Sequence, residues 1–289
     1  MSRTRRICIL TVFLVATFHV TEVPVGAADE RREIQWPAPG LRDLQSAIDL
    51  APDGGIVRIK EGVYQIGRPL FVRGKRLILS GAGSGIRNGK RMTQLVGPPP
   101  QPVVDERGEI ILASDAVQGL WNFIGASVTV QDMRLSGFDA AIVTRADDAR
   151  RAGPTTVDNV AIASTGRGIL SLSPAALRVT NSMIMTTLWH GVSVKPAFMT
   201  ATLPGIFFMS ADSIINSGGA GIFFHHADAE ISGVTIHGAK SGGIVGYASL
   251  SYITNSSLIG NGQGGVVLEA GIALITENSI VSTQPWRQP

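Results

Sequence analysis

The chain has 289 residues, 44% apolar and only 6% aromatic, with 34 glycines and a formal charge of +3. So small a net charge is no nucleic-acid signature, and one cysteine, Cys8, leaves neither a disulfide framework nor a cysteine metal site. The high glycine content suits a turn-dense β fold.

In chain order, residues 1–27 have the pattern of a secretory signal: Arg3, Arg5 and Arg6, then an apolar core of 12 residues from Ile7 to Phe18, interrupted only by Thr11 and Thr17, then Val25-Gly-Ala27 as a cleavage point. The apolar core is short for a membrane span, although the same pattern also serves as a retained N-terminal anchor. Cleavage removes Cys8 together with Arg3, Arg5, Arg6 and Glu22, which lowers the charge from +3 to +1. Residues 28–289 then form one exported domain, periplasmic or secreted, with no further membrane span.

Leu41, Leu44, Ala47 and Ile48 have helical apolar spacing, and Pro52 ends the pattern, so a capping helix is expected over about 41–51. Strands follow over Ile56–Lys60, Gly62–Ile66, Pro69–Val72 and Arg76–Leu79. Gly81-Ala-Gly83-Ser-Gly85 lacks phosphate-loop spacing, and no apolar helix follows it. Arg73, Lys75, Arg76, Arg87, Lys90 and Arg91 read either as a solvated loop or as a lip for an acidic glycan. After a stiff Gly97–Pro102 loop, strands resume at Ile110–Leu112.

Residues 128–281 repeat. Asp132, Asn159, Asn181, Asp212, Gly233, Asn255 and Asn278 anchor successive copies at steps of 27, 22, 31, 21, 22 and 23 residues. A small residue followed by a β-branched one comes nine or ten residues later: Ala141-Ile142, Gly168-Ile169, Gly191-Val192, Gly221-Ile222, Gly243-Ile244 and Gly265-Val266. A fixed period of this size marks a solenoid. Segments such as Gly221–Phe224 and Gly265–Leu268 are β-branched and broken by turn residues, so the repeat is built of strands. Three short strands and three turns fit in about 22 residues, and successive coils stack at about 4.8 Å. The expected fold is all-β, a single-stranded right-handed parallel β-helix. Its interior columns are Ile142, Ile169, Val192, Ile222, Ile244, Val266 and Leu135, Ile162, Ile184, Ile215, Ile236, Leu258, Val281. The anchors are expected to form a side-chain ladder, with insertions near residues 145–154 and 195–204.

On this repeat, and on the "EGVYQIGRPLFV" entry segment after a capping helix and a Gly-Gly turn, the chain resembles the parallel β-helix proteins of the pectin-lyase-like superfamily. Those include pectate and alginate lyases, polygalacturonases, uronan epimerases and phage tailspikes, together with an accessory protein of copper-site assembly. The resemblance implies the fold and a polysaccharide partner. Trp189-His190-Gly191 resembles the Gly-His-Gly motif of polygalacturonases, but Phe138-Asp139-Ala140 and Gly166-Arg167 stand where that family has paired carboxylates. Acid–base glycoside hydrolysis needs both carboxylates. Asp147-Asp148 falls out of phase, so a hydrolase of that type is set aside.

Four residues past each small residue, the stack reads Arg145, Leu172, Lys195, His225, Tyr247 and Glu269. Strand alternation turns this column outward. Lyase and epimerase chemistry both begin with removal of the proton at C5 of a uronate, beside the carboxylate. Arg145 and Lys195 are the candidates to neutralise that carboxylate, His225 or Lys195 the base, and Tyr247 the acid. His190 is a further catalytic candidate, and Trp189 and Glu269 join Arg145 as substrate contacts. The position two past the small residue should also face outward, yet it reads Val143, Leu170, Ser193, Phe223, Val245 and Val267. That apolar column suits the alternative, a non-catalytic β-helix binding a glycan, the envelope or an assembly partner. His225 and His226, adjacent in a strand, should face opposite ways. No cofactor is expected. Calcium is possible but unsupported, since no carboxylate cluster recurs in phase.

Overall fold

The computed structural model describes residues 33–86, 91–100, 103–104, 110–111, 119–146, 152–196 and 205–281. The export signal expected over residues 1–27 lies outside the described residues, as do Arg87, Lys90, Asp147-Asp148 and much of both insertions.

Gly, Asn and Ser break the β-branched segments every few residues, and the chain responds by coiling. A front sheet of eight strands runs from Leu70–Arg73 through Gly119–Ile124, Ala140–Arg145, Arg167–Ser171, Val192–Val194, Ile222–His225 and Ile244–Tyr247 to Val266–Glu269. A larger sheet of seventeen strands wraps the other sides. Coil-to-coil pairing is parallel throughout both. The short pair Val103–Val104 and Ile110–Ile111 is antiparallel and separate. Successive parallel strands joined by crossovers take the right-handed winding that strand twist favours, and the fold is a right-handed parallel β-helix.

The first interior column holds as expected. Ile142, Ile169, Val192, Ile222, Ile244 and Val266 are register partners, and the first five are fully buried. The second column needs a correction. One corner of each coil has a left-handed backbone at Asp132, Asn159, Asn181, Ala211, Gly233, Asn255 and Glu277, in steps of 27, 22, 30, 22, 22 and 22. Asn and Asp tolerate that conformation better than other side chains. Asp212 and Asn278 therefore lie one residue past the corner, and their coils shift by one. Ile214, not Ile215, is the partner of Ile184 and Ile236, and Ile280, not Val281, is the partner of Leu258.

The expected ladder is present in part at the corner itself, where Asn159 Nδ2 donates to Asp132 Oδ1 at 2.7 Å, and otherwise runs one position past the corner. Ser182 Oγ accepts from Val160 N–H at 3.1 Å, Asp212 Oδ1 from Ser182 N–H at 2.6 Å, Ser256 Oγ from Val234 N–H at 3.2 Å, and Asn278 Oδ1 from Ser256 N–H at 2.8 Å. Each side chain thus satisfies a backbone donor of the coil before it, a donor that would be costly to leave unpaired inside the stack.

The N-terminal end is closed by a helix, Leu44–Leu50, shorter than expected. Asp43 caps it, accepting from both the N–H and the hydroxyl of Ser46 at 2.8 and 2.7 Å, while Leu44, Ala47 and Ile48 bury onto the first coil. A strand the sequence did not reveal, Glu33–Trp36, pairs with Gly55–Ile59. Two members of the basic region have structural partners. Lys75 Nζ donates to the helix-end carbonyls of Ile48 and of Ala51, the latter at 2.8 Å, and Arg76 pairs with Asp53 at 2.8 Å. Lys75→Met should leave those carbonyls unsatisfied and cost about 1 kcal/mol, read as a lower urea midpoint at unchanged slope. An unchanged midpoint would mean the carbonyls find water at no cost. Among the described residues, no helix is long and apolar enough to cross a membrane.

Candidate functional site

Strand alternation holds on the front sheet. Val194, Phe224 and Gly246 are in register facing inward, and Ser193, Phe223 and Val245 are in register between them on the outer face. The apolar outer column is not a break in parity. Val143 and Leu170 are buried and form, with Ala140 and Leu172, a small apolar cluster separate from the main core.

Farther along the strands, the polar column is also in register. His225 pairs with Tyr247, and Tyr247 with Glu269. Lys195 continues the column on the preceding coil, its N–H bonded to Ser171 O at 2.8 Å. Lys195 and Tyr247 of this column meet at Phe223, together with His190. The Lys195 ammonium lies over the Phe223 ring at 4.8 Å, the His190 ring stacks on it at 4.9 Å with 19° between planes, and the Tyr247 ring is 5.7 Å away. His225 and Tyr247 ring centroids are 6.1 Å apart. Lys195, His225 and Tyr247 are all half-buried.

His190 is fixed by its corner. Its Nδ1 accepts from Ala220 N–H at 2.9 Å, and the ring needs Gly219 beneath it, since a Cβ there would lie 2.8 Å from that same nitrogen. Burial, with the charges of Lys195 and Arg167, pushes its pKa down to about 4. With Nδ1 accepting and the ring neutral, the proton sits on Nε2, so His190 offers the face a hydrogen-bond donor and no free basic nitrogen. The pKa of His225 is also lowered, first by burial and then by His226 and Lys195, a shift toward the neutral imidazole, the form that accepts a proton.

The other expected contacts spread along the same sheet. Arg145 is separated from Lys195 by the Leu172 coil, Glu269 is exposed on the final strand, and Trp189 is half-buried at the corner before His190. The expectation for His226 is overturned. Its backbone is left-handed, with φ 52°, and this bend swings its ring edge-on to His225 at 4.3 Å instead of to the opposite face. The sequence places Phe223 on the outer face but does not show its contacts with Lys195, His190 and Tyr247. Nor does it mark Arg167 as part of this surface. Arg167, 8% exposed, stands one residue before the small residue of its coil, the place His190 takes on the next coil, as Gly168 N–H bonding to His190 O shows. Reading the repeat one residue earlier would have put these two together. Among the described residues no group of three or more His, Cys, Asp or Glu could hold a metal ion.

No protein-family model matches the chain, and no curated protein is similar to it in sequence. Solved structures of similar shape include the A-module of the mannuronan C-5 epimerase AlgE6 of Azotobacter vinelandii, at 15% identity and TM-score 0.49 over 83% of this chain and 72% of that one. An alginate lyase from Paenibacillus sp. str. FPU-7 aligns at 14% identity and TM-score 0.44 over 83% and 95%. The catalytic unit of a GH87 alpha-1,3-glucanase from Streptomyces thermodiastaticus strain HF3-3 aligns at 16% identity and TM-score 0.38 over 79% of this chain and 42% of that one. The fold assignment rests on the strand pairing of the chain itself.

Proposed function

We propose that the front face acts on a uronic-acid polysaccharide, outside the cytoplasm, by abstraction of the C5 proton, as a lyase or an epimerase. The observation that carries this reading is the clustering of Lys195 and Tyr247 on Phe223, with His225 beside Tyr247. Lys195 neutralises the substrate carboxylate by a charge-assisted hydrogen bond, which makes the adjacent C5 proton more acidic. His225 takes that proton. In a lyase step the C5 electron pair forms the C4–C5 double bond as the C4–O bond breaks, and Tyr247 protonates the departing oxygen. In an epimerase step Tyr247 instead returns a proton to the opposite face of C5. His190 donates its Nε2–H to the sugar, and Arg145, Trp189 and Glu269 lie along the path of neighbouring sugar units. The resemblance of the sequence to pectin-lyase-like proteins supports the same substrate class.

Overnight incubation with alginate and with pectate tests this. A lyase yields unsaturated uronate, read by ultraviolet absorbance, and an epimerase incorporates solvent deuterium at C5, read by NMR. His225→Ala and Tyr247→Phe should each lower kcat by about 10²–10⁴ with unchanged melting, and Lys195→Ala should raise KM as well as lower kcat. The apolar outer column, with an ammonium already seated on Phe223, favours a second reading, a binding or assembly β-helix without turnover. A uronan bound but unchanged across a broad panel would establish that reading in place of the first.

A further inference from the structure

The two ends of the solenoid differ. The helix Leu44–Leu50 closes the first coil. The last coil, Val266–Glu269, Ile272–Thr276 and Ser279–Val281, pairs among the described residues only with the coil before it. Among the described residues, nothing covers the ends of its interior columns. Ile253 is fully buried but its partner Ile275 is 43% exposed, and Leu258 is buried where its partner Ile280 is 48% exposed.

Among the described residues, the backbone edge has no partner on its far side either. Ile272 and Ser279 give their N–H groups to Ser249 and Ser256 on the preceding coil. In a parallel ladder the alternate N–H groups, those of Ala273, Ile275 and Ile280, then point away from it. Edge strands are ordinarily protected by Lys, Pro or an inward charge, and Ile272–Thr276 and Ser279–Val281 contain none of these. Glu269 ends the front strand facing outward and Glu277 sits on a corner, so neither puts a charge in the apolar centre.

We propose that this open coil is a self-association surface through which two copies of the chain join end to end. An isolated strand could cover one side only. A surface that covers three apolar columns and pairs all the edges at once must itself be the end of a coil, and another copy supplies one. A two-fold axis across the joint sets each edge antiparallel to its counterpart, an isologous contact. A coil here advances by 22 residues, in the range of about 20–30 residues a side found in stable interfaces. The shallow back-face groove of about 530 Å³ beside it, walled by Leu250, Tyr252, Ile272 and Leu274, is a poorer self-docking site, since it also carries Asp228 and Glu230. Packed face to face, rows of equal height would bring carboxylates against carboxylates.

The test is the mass of the full chain in solution, by light scattering and sedimentation. A dimer is expected at about 10 µM. Ala273→Pro removes an outward-pointing donor while leaving the bonds to the preceding coil, and should give a monomer with unchanged circular dichroism and melting. Ile275→Lys should do the same by placing a charge in the joint. A wild-type monomer up to about 100 µM overturns the proposal, whether the end is covered by residues 282–289 or by nothing. A dimer that persists in both variants overturns it too. Uronan turnover on the front face is unaffected by any of these outcomes.

Discussion

Ile222→Asp should collapse the cooperative melt of this protein, at a cost of roughly 3 kcal/mol or more. Ile222 is fully buried, with Val192 below it and Ile244 above it in register. Each neighbour is itself an interior aliphatic, so the new carboxyl would find no donor or cation across the column. It must either stay protonated against its ordinary pKa or draw water into the stack. A solenoid amplifies the damage, because a coil's stability comes largely from its two neighbours. Ile222→Val, which keeps the shape less one methylene, should cost only about 1 kcal/mol. The check is a pair of urea titrations. Equal midpoints for wild type and Ile222→Asp would mean that this column is not interior.

The coil period and the first interior column were legible because two independent patterns hold one phase. A residue β-branched in every copy, next to a small one, can only be serving the same place in each coil. Corners were less legible. A left-handed corner accepts Asn, Asp or Gly most readily, but this chain also puts Ala211 and Glu277 there. In those two coils the next residue, Asp212 or Asn278, mimics a corner, and the reading slips by one. The entry strand Glu33–Trp36 carries no periodic signal of its own and is held by its pairing with Gly55–Ile59.

On the front face, the sequence gives the polar column through parity alone, since alternation along a strand is a local rule. It does not give the side-chain reach across columns that centres the cluster on Phe223. Nor does it give the bend at His226, because a histidine at positive φ has no sequence mark. The neutral state of His190 was equally hidden. It depends on burial and on Arg167, contributed by a different coil.

Asp212→Asn should stabilise the protein at pH 8 and leave it nearly unchanged at pH 4. Asp212 stands in the coil-to-coil ladder where other rungs use Ser182, Ser256 and Asn278. It is 2% exposed, Oδ1 accepts from Ser182 N–H, and Oδ2 has no hydrogen-bond partner among the described residues. Burial pushes its carboxyl up to about 7, against the opposing pull of the Ser182 and Ser210 backbone groups, and the Asp158 charge adds to the rise. The folded value is therefore above the unfolded one, about 3.9. Below pH 4 both states hold the proton and there is no penalty. Between about 4 and 7 the unfolded chain releases it first, so stability falls as pH rises, and above 7 the loss levels off at roughly 4 kcal/mol. Asparagine does not titrate, and the last rung shows how it fits. Asn278 Nδ2 donates to Ile253 O and Thr276 O, both at 2.8 Å. The carbonyls of Val179 and Ser210 hold the matching positions around residue 212. At pH 8 the variant should melt about ten degrees higher than wild type, and the gap should close toward pH 4. A gap of the same size at both values would show that the carboxyl titrates normally and that the gain comes from the new hydrogen bonds alone.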